Sequence, residues 1–179
     1  MRHGTGRRQR PTDALDGEPQ NYGGEVNSTP TPDWVSVTAL PLSPDELSSW
    51  VGGPSSGATV TFCGTVRNSS TTGHDIVSLE YETSQELAER RIFDVIEVAR
   101  SRWPMLGGVA IHHRVGPVEL GGVAVVVAVA SPHRQEAFEA ARFCIDAVKK
   151  TVPMWKREVW EGGSTWSEEA SDIVDARDL

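Results

Sequence analysis

The stretch Val123-Ala-Val-Val-Val-Ala-Val-Ala130 decides the fold, because it is the longest apolar run in the chain. Both faces of an extended backbone would be apolar here, which is typical of a strand in the centre of a sheet. The run is far too short to cross a bilayer, since a membrane-spanning helix needs about 20 apolar residues. We therefore predict a globular domain built around this strand.

Strand and helix patterns alternate on both sides of this run. A helix begins at Ser43-Pro44, where a capping serine precedes a proline at the first helical position, and Gly52-Gly53 ends it. The remaining predicted elements are strands at 34–40, 58–66, 76–83 and 109–115, a helix from Ser84 to about Trp103, a helix from Ser131-Pro132 to about Thr151, and a hairpin around Gly162-Gly163. This order predicts an α+β domain in which helices pack on a mainly antiparallel sheet.

The two ends of the chain differ from this pattern. Residues 1–33 are rich in Arg, Gly, Pro, Thr and Asp, so they cannot bury enough apolar surface to offset their ordering entropy. We predict a disordered leader at 1–33, one folded domain at 34–167 and an acidic tail at 168–179. No charged-then-apolar signal segment opens the chain, which favours a cytoplasmic location over export.

Bulk charge limits the classes of function. The formal net charge is −8 at pH 7, which argues against nucleic-acid and membrane binding, because both need basic surface. An acidic protein that binds an anion must gather its cations locally. Clusters of Arg, Lys and His are therefore the candidates for a site.

Cysteine and histidine patterns give no sign of a metal centre. Cys63 and Cys144 form no CxxC pair, and we interpret both as small buried thiols in a reducing compartment. His112 and His113 are adjacent, so on a strand they point to opposite faces and cannot chelate one ion. We expect no metal ion and no other cofactor.

The last long helix carries a lysine at the border of its buried face. At 100° per residue its apolar stripe comprises Ala137, Phe138, Ala141, Cys144, Ile145 and Val148. Lys149 lies about 80° from the centre of that stripe, whereas Lys150 lies opposite it and should be solvated. A lysine at the border of a buried face loses hydration, which favours a neutral amine that can act as base or nucleophile. The alternative is a snorkelling side chain that covers the edge of the core.

Further cations lie before and after that helix. Pro153 ends the helix, so Lys156 can double back beside Lys149 and form an anion site with Arg157; alternatively, residues 152–158 form an exposed edge strand with charged gatekeepers. His133 and Arg134 occupy the first turn, where backbone N–H groups favour phosphate, although they could equally be a capping histidine and a surface arginine. Arg67 enters a loop directly after a predicted strand, which is a common way to present a guanidinium to a ligand.

Five segments in this order resemble the molybdopterin synthase catalytic (large) subunit family. They are Phe62-Cys63-Gly64-Thr65-Val66-Arg67-Asn68, Leu79-Glu80-Tyr81-Glu82, His113-Arg114-Val115-Gly116, Ser131-Pro132-His133-Arg134, and Lys149 followed by Val152-Pro153-Met154-Trp155-Lys156-Arg157-Glu158. The resemblance covers about residues 34–167 and leaves out the leader and the tail. One departure is Gly122, which follows Gly121 where the family often has an acidic residue, and we expect it to affect only the local turn.

The resemblance implies a specific activity and assembly. The family are sulfurtransferases that convert cyclic pyranopterin monophosphate into molybdopterin by installing two dithiolene sulfurs. Sulfur arrives as a thiocarboxylate on the C-terminal Gly-Gly of a small ubiquitin-like subunit. The implied fold is a hammerhead-like α/β domain that forms a homodimer within a heterotetramer, with one small subunit at each end.

The resemblance also implies roles for individual residues. The two essential lysines of the family fall on Lys149 and Lys156. Its substrate-contacting segments fall on Thr65, Val66, Arg67, His133, Arg134, Arg157 and Glu158, together with Lys156. Two other functions remain open at this point: a non-catalytic docking module for the ubiquitin-like sulfur carrier, and an unrelated protein that binds a small phosphate compound.

Helix geometry suggests how these residues are shared between chains. Arg134 and Lys149 are fifteen residues apart on one predicted helix, which separates their backbones by about 22 Å. A monophosphate pterin is roughly half that length, given ordinary bond lengths. We therefore expect a two-fold dimer in which His133 and Arg134 of one protomer hold the phosphate of a substrate bound at the other protomer's Lys149.

Overall fold

The computed structural model describes residues 33–69, 73–167 and 173–179. Its elements in chain order are β1 Trp34–Thr38, α1 Pro44–Val51, β2 Ala58–Thr65, β3 Ile76–Glu82, α2 Gln85–Arg102, β4 Val109–Arg114, β5 Gly116–Glu119, β6 Val123–Ser131, α3 Arg134–Thr151, β7 Trp155–Trp160, β8 Gly163–Trp166 and a 3-10 turn at Ala176–Asp178. Apart from β5 and the final turn, this is the predicted order. The predicted leader lies outside the described residues except for Asp33, as does the part of the predicted tail at 168–172.

The apolar run at 123–130 forms β6, an interior strand of a four-stranded sheet with the order β1-β4-β6-β2. Residues Ala124 to Ala130 are each no more than 7% exposed, so the prediction of a central strand is confirmed. Strands β2 and β4 pair with β6 in antiparallel fashion, whereas β1 pairs with β4 in parallel.

A second four-stranded sheet, in the order β5-β3-β7-β8, is antiparallel throughout. The α+β class and the C-terminal hairpin of β7 and β8 are confirmed, and the mainly antiparallel strands are divided between two sheets where the sequence predicted one. The chain passes from β4 in one sheet to β5 in the other at Gly116, whose φ of +76° is a backbone conformation that favours glycine. Strand β5 escaped prediction because a four-residue segment that contains Pro117 shows no alternating pattern.

Helices cover both faces of the first sheet. Helices α2 and α3 pack against one face in the largest cluster of buried residues, and α1 packs against the other. The predicted start of α1 is confirmed, because the Ser43 hydroxyl accepts a hydrogen bond from the Glu46 N–H at 3.3 Å and Pro44 is its first residue. No helix in the described part of the chain is both long and apolar enough to cross a membrane.

Adjacent histidines on β4 separate onto these two faces, as predicted. His112 contacts the Trp34 ring edge-on, with the ring centroids 4.5 Å apart, on the side covered by α1. His113 follows Val109 and Ile111 on the face covered by α2 and α3. Within the described ranges, no three His, Cys, Asp or Glu side chains are grouped so that they could hold a metal ion.

Two predicted core positions are wrong. Phe138 is 63% exposed, because the buried stripe of α3 is centred on Ala137, Ala141, Cys144 and Val148 and leaves residue 138 outside it. Cys63 is exposed as well, and it lies on β2, an edge strand of its sheet. Cys144 is buried as predicted, and burial raises the pKa of its thiol to about 12, which keeps it protonated and unreactive.

The end of the chain returns to the domain. The turn at Ala176–Asp178 packs against α2, and Ala176 is 1% exposed within the main core cluster. Arg91 on α2 forms an ion pair with Asp175, and Arg177 forms one with Asp94 on α2. Residues 173–179 are therefore part of the folded domain, on the side of α2.

Candidate active site

A cavity of about 640 Å³ lies where the two sheets meet the C-terminal end of α3. Its volume falls in the range of small-molecule sites, about 300–1,000 Å³. The polar and charged residues that line it are Thr65, Arg67, Ser69, Tyr81, His113, Lys149, Lys150, Lys156, Glu158 and Ser167. Four of these are cationic side chains and one is a carboxylate, so a protein of net charge −8 concentrates positive charge here.

Lys149 and Lys156 reach this cavity from two different elements. Lys149 lies in the last turn of α3, and the helix ends at Thr151 before Val152, whose backbone is extended. Strand β7 then runs back along the cavity and places Lys156 on its wall. The two predicted lysines therefore line one cavity, as the turn at Pro153 predicted.

Glu158 holds Lys156 in place. Its Oε1 atom lies 3.6 Å from Lys156 Nζ, and the two side chains are 8% and 26% exposed. The other oxygen, Oε2, is buried and makes no hydrogen bond to a described residue. A buried carboxylate with one unused acceptor is costly unless a further donor approaches, so Glu158 is suited to a ligand N–H or O–H group.

Arg157 points away from the cavity. Side chains alternate along a strand, so residue 157 lies on the opposite face of β7 from Lys156 and Glu158. There it pairs with the Glu80 carboxylate and lies 5.5 Å from the centre of the Trp166 ring. The hydrogen bond to Glu80 raises the pKa of the guanidinium further. Arg157 is thus a structural cation in this chain and does not line the cavity.

Of the three predicted residues at the end of β2, two line the cavity and one does not. Thr65 and Arg67 line the cavity and are exposed, whereas Val66 is 3% exposed and belongs to a small core cluster. The Val66 backbone is also engaged, since its N–H donates to Gly122 O and its carbonyl accepts from Gly121 N–H. Val66 therefore positions its two neighbours and does not itself face a ligand.

His133 and Arg134 lie at the far end of α3. His133 is the N-cap residue and makes no side-chain capping hydrogen bond, and Arg134 begins the helix. Both are exposed. His133 lines a separate cavity of about 300 Å³, together with Trp103, Met105 and Ser131. Because α3 is one continuous helix from Arg134 to Thr151, these residues do not meet Lys149 within one chain.

The two lysines that end α3 are less different than predicted. Lys149 and Lys150 are both exposed, and both line the large cavity. The expectation that Lys149 lies half-buried and that Lys150 points away is therefore wrong for the single chain. The last helical turn opens onto the cavity, so adjacent side chains can reach it from both sides.

Tyr81 and His113 line the cavity without having been predicted to do so. The Tyr81 side chain lies opposite Lys156 across the β3–β7 pair, and its ring meets the His113 ring edge-on with centroids 5.1 Å apart. Burial raises the pKa of Tyr81 to about 12 and lowers that of His113. Both residues occur in segments that carry the family resemblance, but they lie in different sheets, and only the packing of those sheets places them in one site.

Comparison with known proteins assigns the family. The family model described as "MoaE protein" matches residues 37–151, which is more than half of the chain. The chain belongs to the MoaE family. The matched range includes Lys149, His113 and Arg67 but ends before β7, so the place of Lys156 and Glu158 beside them rests on the geometry described above.

Relatives and solved structures agree with this assignment. The molybdopterin synthase catalytic subunit of Nostoc sp. is 42% identical over 135 residues, which cover 75% of this chain and 81% of that protein. The one from Thermoplasma volcanium is 43% identical over 131 residues, or 73% of this chain and 94% of that protein. The crystal structure of molybdopterin synthase from Staphylococcus aureus superposes with a TM-score of 0.70 at 34% identity, covering 74% of this chain and 95% of that one. The MoaE fold that the sequence implied is confirmed.

Proposed function

We propose that this chain is the catalytic subunit of a molybdopterin synthase. It transfers sulfur from the C-terminal thiocarboxylate of a small ubiquitin-like partner to cyclic pyranopterin monophosphate, forming the dithiolene of molybdopterin. The observation that carries the proposal is the meeting of Lys149 and Lys156 in one cavity with Arg67 and Glu158. Membership of the MoaE family and the names of the relatives support it.

The two lysines take different roles in this proposal. Lys156 is fixed beside Glu158 on a strand, so it is a positioned cation that stabilises negative charge as it develops on sulfur or oxygen. Lys149 lies on the last turn of a helix with an exposed side chain, and it handles proton transfer or transient acyl capture. Glu158 and Thr65 contribute polar contacts to the substrate, and Arg67 contributes a charge.

The partner's tail enters beside Lys149 as an extended segment. Strand β2 is an edge strand of the first sheet, and its residues Phe62, Gly64 and Thr65 line the cavity. An extended peptide gains main-chain hydrogen bonds at such an edge, and a Gly-Gly end is slender enough to reach into a narrow site. Deleting the two glycines should abolish transfer but weaken docking only modestly. Complete loss of docking would identify the tail as the main anchor and contradict this picture.

The phosphate of the substrate is bound by a second copy of the chain. The continuous helix α3 keeps Arg134 about 22 Å from Lys149, too far for one small substrate to contact both. A two-fold dimer places His133 and Arg134 of one protomer at the cavity of the other, where the N-terminus of α3 adds backbone donors. The assembly is then a homodimer with one small subunit at each cavity, a heterotetramer.

A reconstituted sulfur-transfer assay tests the function. Purified chain, thiocarboxylated partner and cyclic pyranopterin monophosphate should yield molybdopterin. A partner that carries an ordinary C-terminal carboxylate is the matched control, and it should dock equally well but transfer nothing. Docking without transfer from the thiocarboxylate would indicate a non-catalytic docking module. Pterin or phosphate binding with no docking at all would indicate an unrelated phosphate-binding protein.

A further inference from the structure

His113 lies at the end of the buried row of β4, where the core opens into the cavity. Its neighbours on the same face of the strand, Val109 and Ile111, are fully buried, and His113 itself is 8% exposed. Across the sheet it pairs with Val125, which lines the cavity as well. The imidazole is thus the one titratable group that the first sheet contributes to the cavity among the described residues of β1, β2, β4 and β6.

One nitrogen of the His113 imidazole already makes a hydrogen bond within the chain. His113 Nδ1 lies 2.8 Å from the backbone carbonyl oxygen of Arg114. A carbonyl oxygen only accepts hydrogen bonds, so Nδ1 carries the proton. In the neutral ring the proton acceptor is therefore Nε2, which makes no hydrogen bond to any described residue. A fixed tautomer with a free acceptor nitrogen is the arrangement that a general base needs.

The surroundings keep the ring neutral near pH 7. Burial lowers the pKa of His113, and the bond to the Arg114 carbonyl opposes this only in part. Arg114 directs its own guanidinium to the carbonyl groups of Ala39 and Pro117. The titratable groups that face His113 from other elements are Tyr81 on β3, Lys156 and Glu158 on β7, Lys149 and Lys150 on α3, Arg67 after β2, and Glu89 on α2 beside the neighbouring strand β1.

We propose that His113 is the general base that releases the partner subunit after sulfur transfer, by accepting a proton at Nε2 from the water that hydrolyses the acyl–sulfur bond. This rests on the proposed function. Once a thiocarboxylate sulfur has bonded to the pterin, the partner's terminal glycine is still joined to that sulfur as a thioester. Only breaking the acyl–sulfur bond leaves sulfur on the pterin and frees the partner.

The step balances with water as the only co-reactant. The water oxygen bonds to the thioester carbonyl carbon while its proton moves to His113 Nε2. The carbon–sulfur bond then breaks, sulfur keeps the electron pair as a pterin thiolate, and the partner leaves with a C-terminal carboxylate. A second proton goes to solvent, no oxidation or reduction occurs, and Lys156 lies on the wall where the negative charge develops.

A single-turnover experiment with His113→Asn tests this assignment. Asparagine places an amide N–H near the position of Nδ1–H, so it is suited to keep the bond to Arg114 O while it removes the acceptor at Nε2. With thiocarboxylated partner and cyclic pyranopterin monophosphate, the variant should release partner about 10²-fold more slowly. Intact-mass spectrometry of the quenched reaction should show a partner–pterin thioester adduct that the wild-type complex does not accumulate. In the wild type the release rate should fall when the pH drops through the lowered pKa of His113, below the ordinary value of 6.5, and this dependence should be absent from the variant.

The adjacent residue supplies the control. His112→Asn removes an imidazole from the opposite face of the same strand, away from the cavity, and should leave partner release unchanged. Release at the wild-type rate in His113→Asn, or slow release without an accumulated adduct, would overturn the proposal. Failure of the wild-type complex to transfer any sulfur would instead overturn the proposed function, so the two failures are distinguishable. Thermal unfolding of each variant identifies any loss of activity that comes from misfolding.

Discussion

The two ends of helix α3 both present cations, but their surroundings differ. At the N-terminal end His133 and Arg134 are exposed, and no lysine in the described part of the chain lines the adjacent cavity of about 300 Å³. At the C-terminal end Lys149 and Lys150 open onto a cavity of about 640 Å³ that also holds Lys156. The N-terminal end thus offers two exposed cations beside a small cavity, whereas the C-terminal end shares a larger cavity with a lysine from another element.

The helix itself reinforces this difference. Its N-terminus carries partial positive charge that favours anions by about 0.3–1 kcal/mol, and its C-terminus carries partial negative charge that favours lysines. Phosphate recognition therefore fits the first turn, and proton transfer by an amine fits the last. Since one rigid helix cannot bring its own ends together, a site that needs both ends needs two copies of the chain.

The largest expected effect is a loss of turnover when a lysine at the C-terminal end of α3 is removed. Lys149→Ala should lower turnover in the sulfur-transfer assay by at least about 10²-fold, the usual scale for a positioned acid–base group. Lys150→Ala should have a smaller effect, although Lys150 lines the same cavity. The control is Arg142→Ala on the same helix, because Arg142 is 85% exposed, pairs with Asp146 one turn on and should be dispensable. Equal losses at 149 and 150 would refute the assignment of Lys149.

Complementation between chains tests whether the two ends act together. Lys149→Ala and Arg134→Ala chains should each be impaired alone, but mixed dimers contain one site with both wild-type residues. In an equal mixture, random pairing should restore about a quarter of the wild-type sites. Subunit exchange is confirmed by mass spectrometry of tagged chains. No recovery in confirmed mixed dimers would place Arg134 and Lys149 in one protomer's site.

Acidification should lower the free energy of unfolding of the domain, because of the two buried histidines on β4. Burial lowers the pKa of His113, and of His112 behind it, below 6.5. In the unfolded chain these side chains take up protons near pH 6.5, whereas in the folded state they stay neutral to lower pH. The unfolded state then binds more protons, so the free energy of unfolding falls as pH drops below about 6.5.

Denaturant titrations at a series of pH values measure this effect. His113→Asn should lose less stability than the wild type between about pH 7 and pH 5, because it has removed one of the two groups. Arg142→Ala serves again as the control, since its side chain is exposed. Identical pH dependence in His113→Asn and the wild type would show that His113 is not the group that titrates.

The smallest expected effect concerns the exposed N-terminal half of α3. Phe138 is 63% exposed, so Phe138→Ala should change the free energy of unfolding by no more than about 0.5 kcal/mol. The matched change in the C-terminal half is Ile145→Ala, which should cost about 2–5 kcal/mol because Ile145 is only 7% exposed. A comparable loss at Phe138, dependent on protein concentration, would show that a second copy of the chain covers it.

Much of the fold could be predicted because it follows from local pattern. Apolar content on both faces indicated the central strand, and Ser43 with Pro44 indicated the start of α1. The second sheet could not be predicted, because β3 shows the same alternation whether it pairs beside β2 or with β7. The pairing of β3 depends on where the chain turns at Gly116 into β5, and that turn depends on how the neighbouring strands pack.

The candidate site was only partly predictable for the same reason. Residue type and family resemblance singled out Lys149, Lys156 and Arg67, and these do share a cavity. Arg157 carries the same charge as Lys156 and lies on the same strand. Strand alternation puts it on the face opposite the cavity, where it pairs with the Glu80 carboxylate. The adjacent pair predicted that His112 and His113 point to opposite faces of a strand, as they do, yet the position of His113 at the cavity wall was not visible from its neighbours in sequence.

The sequence by itself determined which segments are strands and helices, which cations are available, and which family the chain resembles. These properties depend on neighbouring residues, because side-chain periodicity and capping act within a few positions along the chain. Only the tertiary structure decided which of those cations meet. The pairing of β7 with β3, which sets Lys156 beside Tyr81, and the burial of Glu158 arise from packing between residues far apart in sequence.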